Sequence, residues 1–206
     1  NYFDRYKAAV RFRSHRSPNV VHQYIAENHK GKINHDPTLI RGAIIDLEVE
    51  SGTFTVKDGA VPQADGCFTK DDIEIHKGPF PEPSESKYPI TAATVYDSKT
   101  KTFFTLGLEV FTNHLGQRVR LGKYQHDVSD EKVGKLKVFY KGFDSEVTLL
   151  SFLVSVLSKI SANYLSGWNS DTFDVPYMIN RMKMIIGDKE VKAISPWEII
   201  RQRTFT

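Results

Sequence analysis

The sequence predicts a mixed α/β domain on three observations. Several β-branched and aromatic runs read as strands, two segments repeat apolar residues at helical spacing, and strands alternate with helices in the second half. Taken in order, residues 20–26 form a first strand, Asn28-His29-Lys30-Gly31 a turn, and residues 39–49 the long strand that anchors the sheet. Between residues 50 and 88, Gly52, Gly59, Gly66, Gly78, Pro62, Pro79, Pro81 and Pro83 break any regular pattern, so this stretch reads as loop, with 50–78 an insertion. Residues 89–96 and 102–108 are rich in Thr, Val and Phe across Asp97-Ser98-Lys99-Thr100, an antiparallel hairpin that extends the sheet begun at Ile44. A polar stretch over 112–135 precedes a short strand at 136–140. Leu149, Leu153, Leu157 and Ile160 then recur at three and four residues beside Leu150 and Val154, giving an amphipathic helix over 145–161 with Asp144 as its N-cap. Residues 162–166 are a last strand. A second helix over 175–186 buries Met178, Ile179, Met182, Ile185 and Ile186, with Pro176 in its first turn and Gly187 just past its end. No internal repeat or heptad pattern is present.

Composition narrows the class of protein. Lys+Arg total 28 against 25 Asp+Glu, a net charge of +3, which excludes a polybasic nucleic-acid binder but allows a locally positive groove. With 40% hydrophobic and 12% aromatic residues the chain can bury a real core. The single cysteine, Cys67, cannot form an internal disulfide, and no apolar run approaches the roughly 20 residues that span a bilayer. At the N-terminus Arg5, Lys7, Arg11, Arg13 and Arg16 interleave with Tyr2, Phe3, Tyr6 and Phe12. That pattern suits stacking and charge contacts with a single strand, or equally a surface segment cut from its parent domain. The chain starts at Asn1 without an initiator Met and stops at Thr206, which reads as a piece excised from something longer.

Two places could carry chemistry. In Ile44-Ile45-Asp46-Leu47-Glu48-Val49, alternation puts Asp46 and Glu48 on one face of a strand whose other side chains are apolar. Neighbouring carboxylates repel, and a divalent cation converts that repulsion into ligation. The alternative is an edge strand whose acids face solvent. The second place is Ser166-Gly167-Trp168-Asn169-Ser170-Asp171-Thr172-Phe173-Asp174-Val175-Pro176-Tyr177, a loop between a strand end and a helix start, where sites form in open sheets. The helix dipole favours an ionised Asp174, which is then either a metal ligand or simply the helix cap, a role Asp171 could share.

Asp46-Leu47-Glu48 followed by Gly167-Trp168-Asn169 and Phe173-Asp174-Val175-Pro176-Tyr177 resembles the first and second exonuclease motifs of family B DNA polymerases. Phe80-Pro81-Glu82-Pro83, Tyr88-Pro89-Ile90 and Phe143-Asp144-Ser145-Glu146 lie between them in matching order. Residues 175–187 with Ser195-Pro196 are similar to the polymerases of T-even-type bacteriophages. The resemblance runs over about residues 20–200. It implies a ribonuclease H-like mixed sheet with flanking helices (41–206), behind the end of a polymerase N-terminal domain (1–40) that forms a small β appendage. It also implies proofreading: removal of mispaired nucleotides from the primer 3′ end with two divalent ions, Mg2+ or Mn2+. By the same resemblance Asp46 bridges both metals, Glu48 serves the water side and Asp174 the leaving-group side. Asn169 and Phe173 line the path of the frayed strand, although Phe173 suits a core role equally well. The implied partners are single-stranded primer DNA, the rest of the polymerase and a sliding clamp reached through other regions, in the cytoplasm of a host bacterium and with no membrane.

The family's third motif, Tyr-x-x-x-Asp, lies well beyond the second and is not reached before Thr206, so the expectation is a chain weak or inactive alone. Tyr140 to Asp144 has that spacing, but it precedes the second motif and reads as a decoy. Cys67 and His76, and the scattered His15, His22, His29, His35, His114 and His126, form no zinc pattern, and there is no glycine-rich phosphate loop. A rival class remains: a non-catalytic nucleic-acid-binding or docking subunit of a split polymerase.

Overall fold

Strands and helices are numbered in chain order: β1 (Gly42–Val49), β2 (Thr53–Val56), β3 (Cys67–Phe68), β4 (Ile73–His76), β5 (Ile90–Asp97), β6 (Thr102–Leu108), β7 (Val110–Thr112), β8 (Arg118–Arg120), β9 (Ser129–Asp130), β10 (Gly134–Lys135), β11 (Lys137–Phe143), α1 (Glu146–Ile160), β12 (Tyr164–Ser166), α2 (Val175–Ile186) and α3 (Asp188–Lys192). The computed structural model describes residues 27, 28, 30, 31, 36–121, 129, 130 and 134–201. The chain divides into two units, Asn1–Pro37 and Thr38–Thr206. In the first, Glu27 and Asn28 are helical. The expected strand at 20–26, its β appendage, the basic and aromatic N-terminal run, and His15, His22, His29, His35 and His126 lie outside the described residues.

In the second unit a five-stranded mixed sheet runs in the order β11-β6-β5-β1-β12. β1 is antiparallel to β5 and parallel to β12, β5 is antiparallel to β6, and β11 is parallel to β6. β1 is paired with β5 along its length but with β12 only over Gly42–Ile44, so Asp46 and Glu48 stand on its exposed face where the strand has a partner on one side only. Along it Ala43, Ile45 and Leu47 are buried while Ile44, Asp46 and Glu48 are exposed. The buried face meets Leu149, Leu150, Leu153, Leu157 and Ile160 of α1 and Met178 and Met182 of α2 in one core. Each such aliphatic side chain removed from water contributes about 1.5–3 kcal/mol, which makes this face the main stabiliser of the sheet.

Several local expectations are corrected. The long strand expected over 39–49 starts at Gly42, and Pro37–Leu39 is a 3-10 turn. Residues 50–78 are not all loop but carry three short strands. β2 pairs antiparallel with β4, and β3 pairs in parallel with β8, which itself pairs with β7 inside the expected polar stretch. Phe54, Ile73 and Val119 make a second small core there, with Val56, Phe68, Phe111 and Leu121 around it. These strands are too short for alternation to reveal, and their pairings join residues far apart in sequence. α1 begins at Glu146, and its N-cap is Ser145, not Asp144: Ser145 has extended backbone, and its Oγ accepts from the Thr148 amide at 3.4 Å. Asp144 is exposed beside Arg120 at 3.6 Å. α3 was not expected.

At the start of β1, Arg41 holds the hairpin turn. Its Nε and Nη2 donate to Asp97 Oδ1 and Oδ2 at 2.8 and 2.6 Å, while the Lys99 amide and the Thr100 hydroxyl donate to the same carboxylate. Bidentate pairing and these added bonds hold Asp97 well below the usual carboxylate range, the Arg41 hydrogen bonds being the largest cause.

Candidate active site

The site is built where β12 runs out. β1 has a parallel partner only as far as the Ile44–Ser166 pair, so its later polar backbone groups on that side need other partners. Gly167 then passes so close to β1 that a Cβ would lie 2.3 Å from the Ile45 carbonyl oxygen. No other residue fits that approach. Beyond it the chain makes a π-helical turn over Ser170–Asp174 that runs directly into α2. The Asn169 carbonyl accepts from the amides of Phe173 and Asp174 at 2.8 and 3.4 Å, and the Asn169 side chain accepts from the Thr172 hydroxyl.

This turn delivers Asp174 to the unfilled edge. Its Oδ1 accepts from the Leu47 amide at 3.2 Å, and only 5% of the residue is exposed. Asp174 makes no side-chain capping bond to α2, so the alternative in which it merely caps the helix does not hold. Burial pushes its carboxyl pKa up. The Leu47 amide opposes the shift, and the negative charge of Asp46 adds to it. Asp174 is therefore buried against the β1 backbone one residue on from exposed Asp46, whose charge acts on it, and it has no ion pair among the described residues.

Glu48 lies two residues farther along the exposed face of β1, beside a bulge between Glu48 and Val49. Among the described residues no group of three or more His, Cys, Asp or Glu side chains could hold a metal ion, so the expected Asp46, Glu48 and Asp174 do not converge on one metal position. Asp46 and Asp174 still offer hard carboxylate oxygens without a salt bridge among the described residues, a donor chemistry that fits Mg2+ or Mn2+. Asp171 is exposed. The Tyr140 hydroxyl donates to Glu109 at 3.3 Å, and neither Tyr140 nor Asp144 belongs to the site.

Phe173 is half-buried, its ring 5.3 Å from that of Tyr177 and 5.4 Å from that of Phe80. It packs on the core, one of the two roles left open for it, and directly precedes Asp174 in sequence. Phe80 is 75% exposed and carries no role in the sequence reading. An aromatic between prolines in a polar stretch was the available signal. Trp168 is fully exposed on the loop that leads to Asp174.

A mixed five-stranded sheet with helices packed on it, an acid-bearing strand and a buried carboxylate on a strand-to-helix loop define an α/β domain with a candidate acidic site. Residues 46–203 match the exonuclease domain of family B DNA polymerases, and the chain belongs to that family. It is 32% identical over 178 residues to the DNA-directed DNA polymerase of Escherichia phage RB69, covering 84% of this chain and 17% of that one. It is also 32% identical over 130 residues to the DNA-directed DNA polymerase of Enterobacteria phage T4, covering 61% and 14%. The chain thus spans less than a fifth of the length of either relative.

Proposed function

We propose that this chain is the proofreading 3′–5′ exonuclease portion of a longer viral DNA-directed DNA polymerase, and that it removes the 3′-terminal nucleotide of a single-stranded primer end. The observation that supports this most is the seating of buried Asp174 on the Leu47 amide, without an ion pair among the described residues and under the influence of the Asp46 charge. Asp46 and Asp174, joined by Glu48 when the strand end adjusts, would hold two divalent ions. Bound there, such ions supply Lewis-acid stabilisation of charge on the phosphate oxygens and an activated water. The chain's own part is to hold the carboxylates in advance. The Leu47 amide fixes one oxygen of Asp174, and the pairing of β1 with β5 fixes the direction of Asp46. Asn169 and Phe173 border the approach, where an amide can bond to the strand and a ring can pack on a base or sugar. The remaining polymerase domains, a sliding clamp and the cytoplasm of a host bacterium complete the setting of this reading. No helix among the described residues is long and apolar enough to cross a membrane.

That Asp46, Glu48 and Asp174 do not converge on one metal position favours a second reading, in which the chain binds or docks nucleic acid without cutting it. Incubating a 5′-labelled single strand with the chain in Mg2+ or Mn2+, with Asp46→Ala as the blank, separates the two. Shortening from the 3′ end that falls about a hundredfold to a thousandfold in Asp46→Ala supports hydrolysis. Binding with no shortening in either ion supports docking. Under both readings affinity should fall as salt is raised, since few phosphates can be neutralised at +3.

A further inference from the structure

The segment from Phe80 to Ile90 lies along α2 as a strap, and polar side chains hold it by its backbone. The Tyr177 hydroxyl donates to the Tyr88 carbonyl at 2.8 Å and accepts from the Tyr88 amide at 3.0 Å. Arg181 Nη1 donates to the carbonyls of Ser86 and Lys87 at 3.1 and 2.9 Å, and Asn180 donates to the Pro83 carbonyl at 2.9 Å. Glu146, from α1, takes Arg181 in a bidentate pair at 2.8 and 2.6 Å and also accepts from the Ile90 amide at 2.9 Å. The side chains of Arg181 and Glu146 are only 10% and 12% exposed. Within the strap, buried Ser86 is held at φ 44°, a left-handed conformation that costs a non-glycine residue about 1 kcal/mol or more.

This is a costly way to secure a loop. A buried ion pair adds little to stability over apolar packing, and its best use is to fix one arrangement. The strap is anchored in the core at Ile90, with Pro81 also buried, yet its leading residue, Phe80, leaves three-quarters of its surface in solvent. What the strap does achieve is to seat the Phe80 ring against Phe173, whose own ring stacks on Tyr177 and whose neighbour is Asp174. Tyr177 thus holds the aromatic row through its ring and the strap through its hydroxyl.

We infer that Tyr177, Arg181 and Glu146 are positioning residues for the single strand: by clamping the 80–90 strap they hold Phe80 beside Phe173 as one wall of the approach to Asp174. This rests on the exonuclease reading for the identity of the strand and on the hydrogen bonds above for the clamp. None of the three touches the carboxylate pair, so their effect belongs to binding of the strand, while kcat for bound strand stays nearly unchanged.

Tyr177→Phe tests it with least risk to folding, because the ring and its packing remain. In the full chain, hydrogen exchange of the amides in residues 80–90 should quicken while α1 amides stay protected. Anisotropy with labelled oligothymidine should show about tenfold weaker binding, the scale of one base–aromatic contact, and any hydrolysis should show that loss in KM. Phe80→Ala should cost about the same, and adding Tyr177→Phe to it should cost almost nothing more, since both act through one ring. Arg181→Lys, which keeps the charge but not the fork, should fall between wild type and Arg181→Met. Unchanged strap exchange, or additive losses in the double variant, overturns the inference while leaving the exonuclease reading intact. No binding of oligothymidine by the unaltered chain overturns that reading and the inference with it.

Discussion

Two buried carboxylates stand at the two ends of β1, and their surroundings push them in opposite directions. Asp97 at the start is gripped by the Arg41 fork, two turn residues and no open space, and its pKa is held down. Asp174 near the other end has a single backbone amide, a second carboxylate as its electrostatic neighbour and a pKa pushed up. One acid has its charge answered within the protein. The other has no cationic partner among the described residues, and burial disfavours its charge, a setting that suits a group proposed to take a cation. The difference separates an acid that holds the fold from one that the proposed function assigns to chemistry.

Exchanging the two effects is the most direct way to break this comparison. Asp174→Asn keeps an acceptor for the Leu47 amide and removes the charge, so hydrolysis should fall about a hundredfold to a thousandfold with no loss of melting temperature. Arg41→Met should do the reverse. It strands a buried carboxylate and costs about 3 kcal/mol, the low end for such pairs because the Arg41 side chain is 25% exposed. That is a fall in melting temperature of about 6–12 °C, read by calorimetry. The pH dependence follows from the lowered pKa of Asp97. Its stabilisation is complete above the unfolded value of about 4 and is lost as pH falls toward the folded value, so wild type and Asp97→Asn should converge in stability only below about pH 4. A gap between them that stays constant down to strong acid would show that the pair contributes through packing alone.

The same contrast explains which parts could be read from the sequence. Asp46 and Glu48 declared their shared face through strict alternation, and α2 declared both its ends through Pro176 and Gly187. Asp174 was legible as a residue at a helix start, but its turn toward Leu47 was not, because the partner is a backbone amide 127 residues away. For the same reason Arg41 and Asp97, 56 residues apart, went unpaired, and so did β3 with β8. Local spacing shows what a segment prefers. It does not show which distant edge is left open for that segment to fill.

Asp174 itself offers a smaller, sharper test. Asp174→Ala removes the acceptor as well as the charge and leaves the buried Leu47 amide unpaired, a loss of about 1–3 kcal/mol that Asp174→Asn avoids. Denaturant unfolding of the two variants therefore separates the hydrogen bond from the charge. If both unfold alike, the Leu47 bond contributes nothing to stability.

The smallest expected effect concerns a third kind of acid, one that is neither gripped nor cation-free but simply exposed. Asp144 stands at the position before α1, has the spacing from Tyr140 that imitates a catalytic motif, and lies 3.6 Å from Arg120 with 64% of its side chain in water. An exposed pair at that distance contributes little, because solvent screens it and two mobile side chains must be ordered to form it. The cap next to it does more. Ser145 takes the Thr148 amide in the first turn of α1 and shares a 2.9 Å bond with the Thr148 hydroxyl. Ser145→Ala should cost about 1 kcal/mol, a typical cap loss, and Asp144→Ala less than about 0.5 kcal/mol. Neither should change hydrolysis of a single strand. A loss of activity in Asp144→Ala of the size expected for Asp174→Asn would mean that an exposed acid outside the described pair reaches the site, and the division of acids by surroundings would then fail where it matters most.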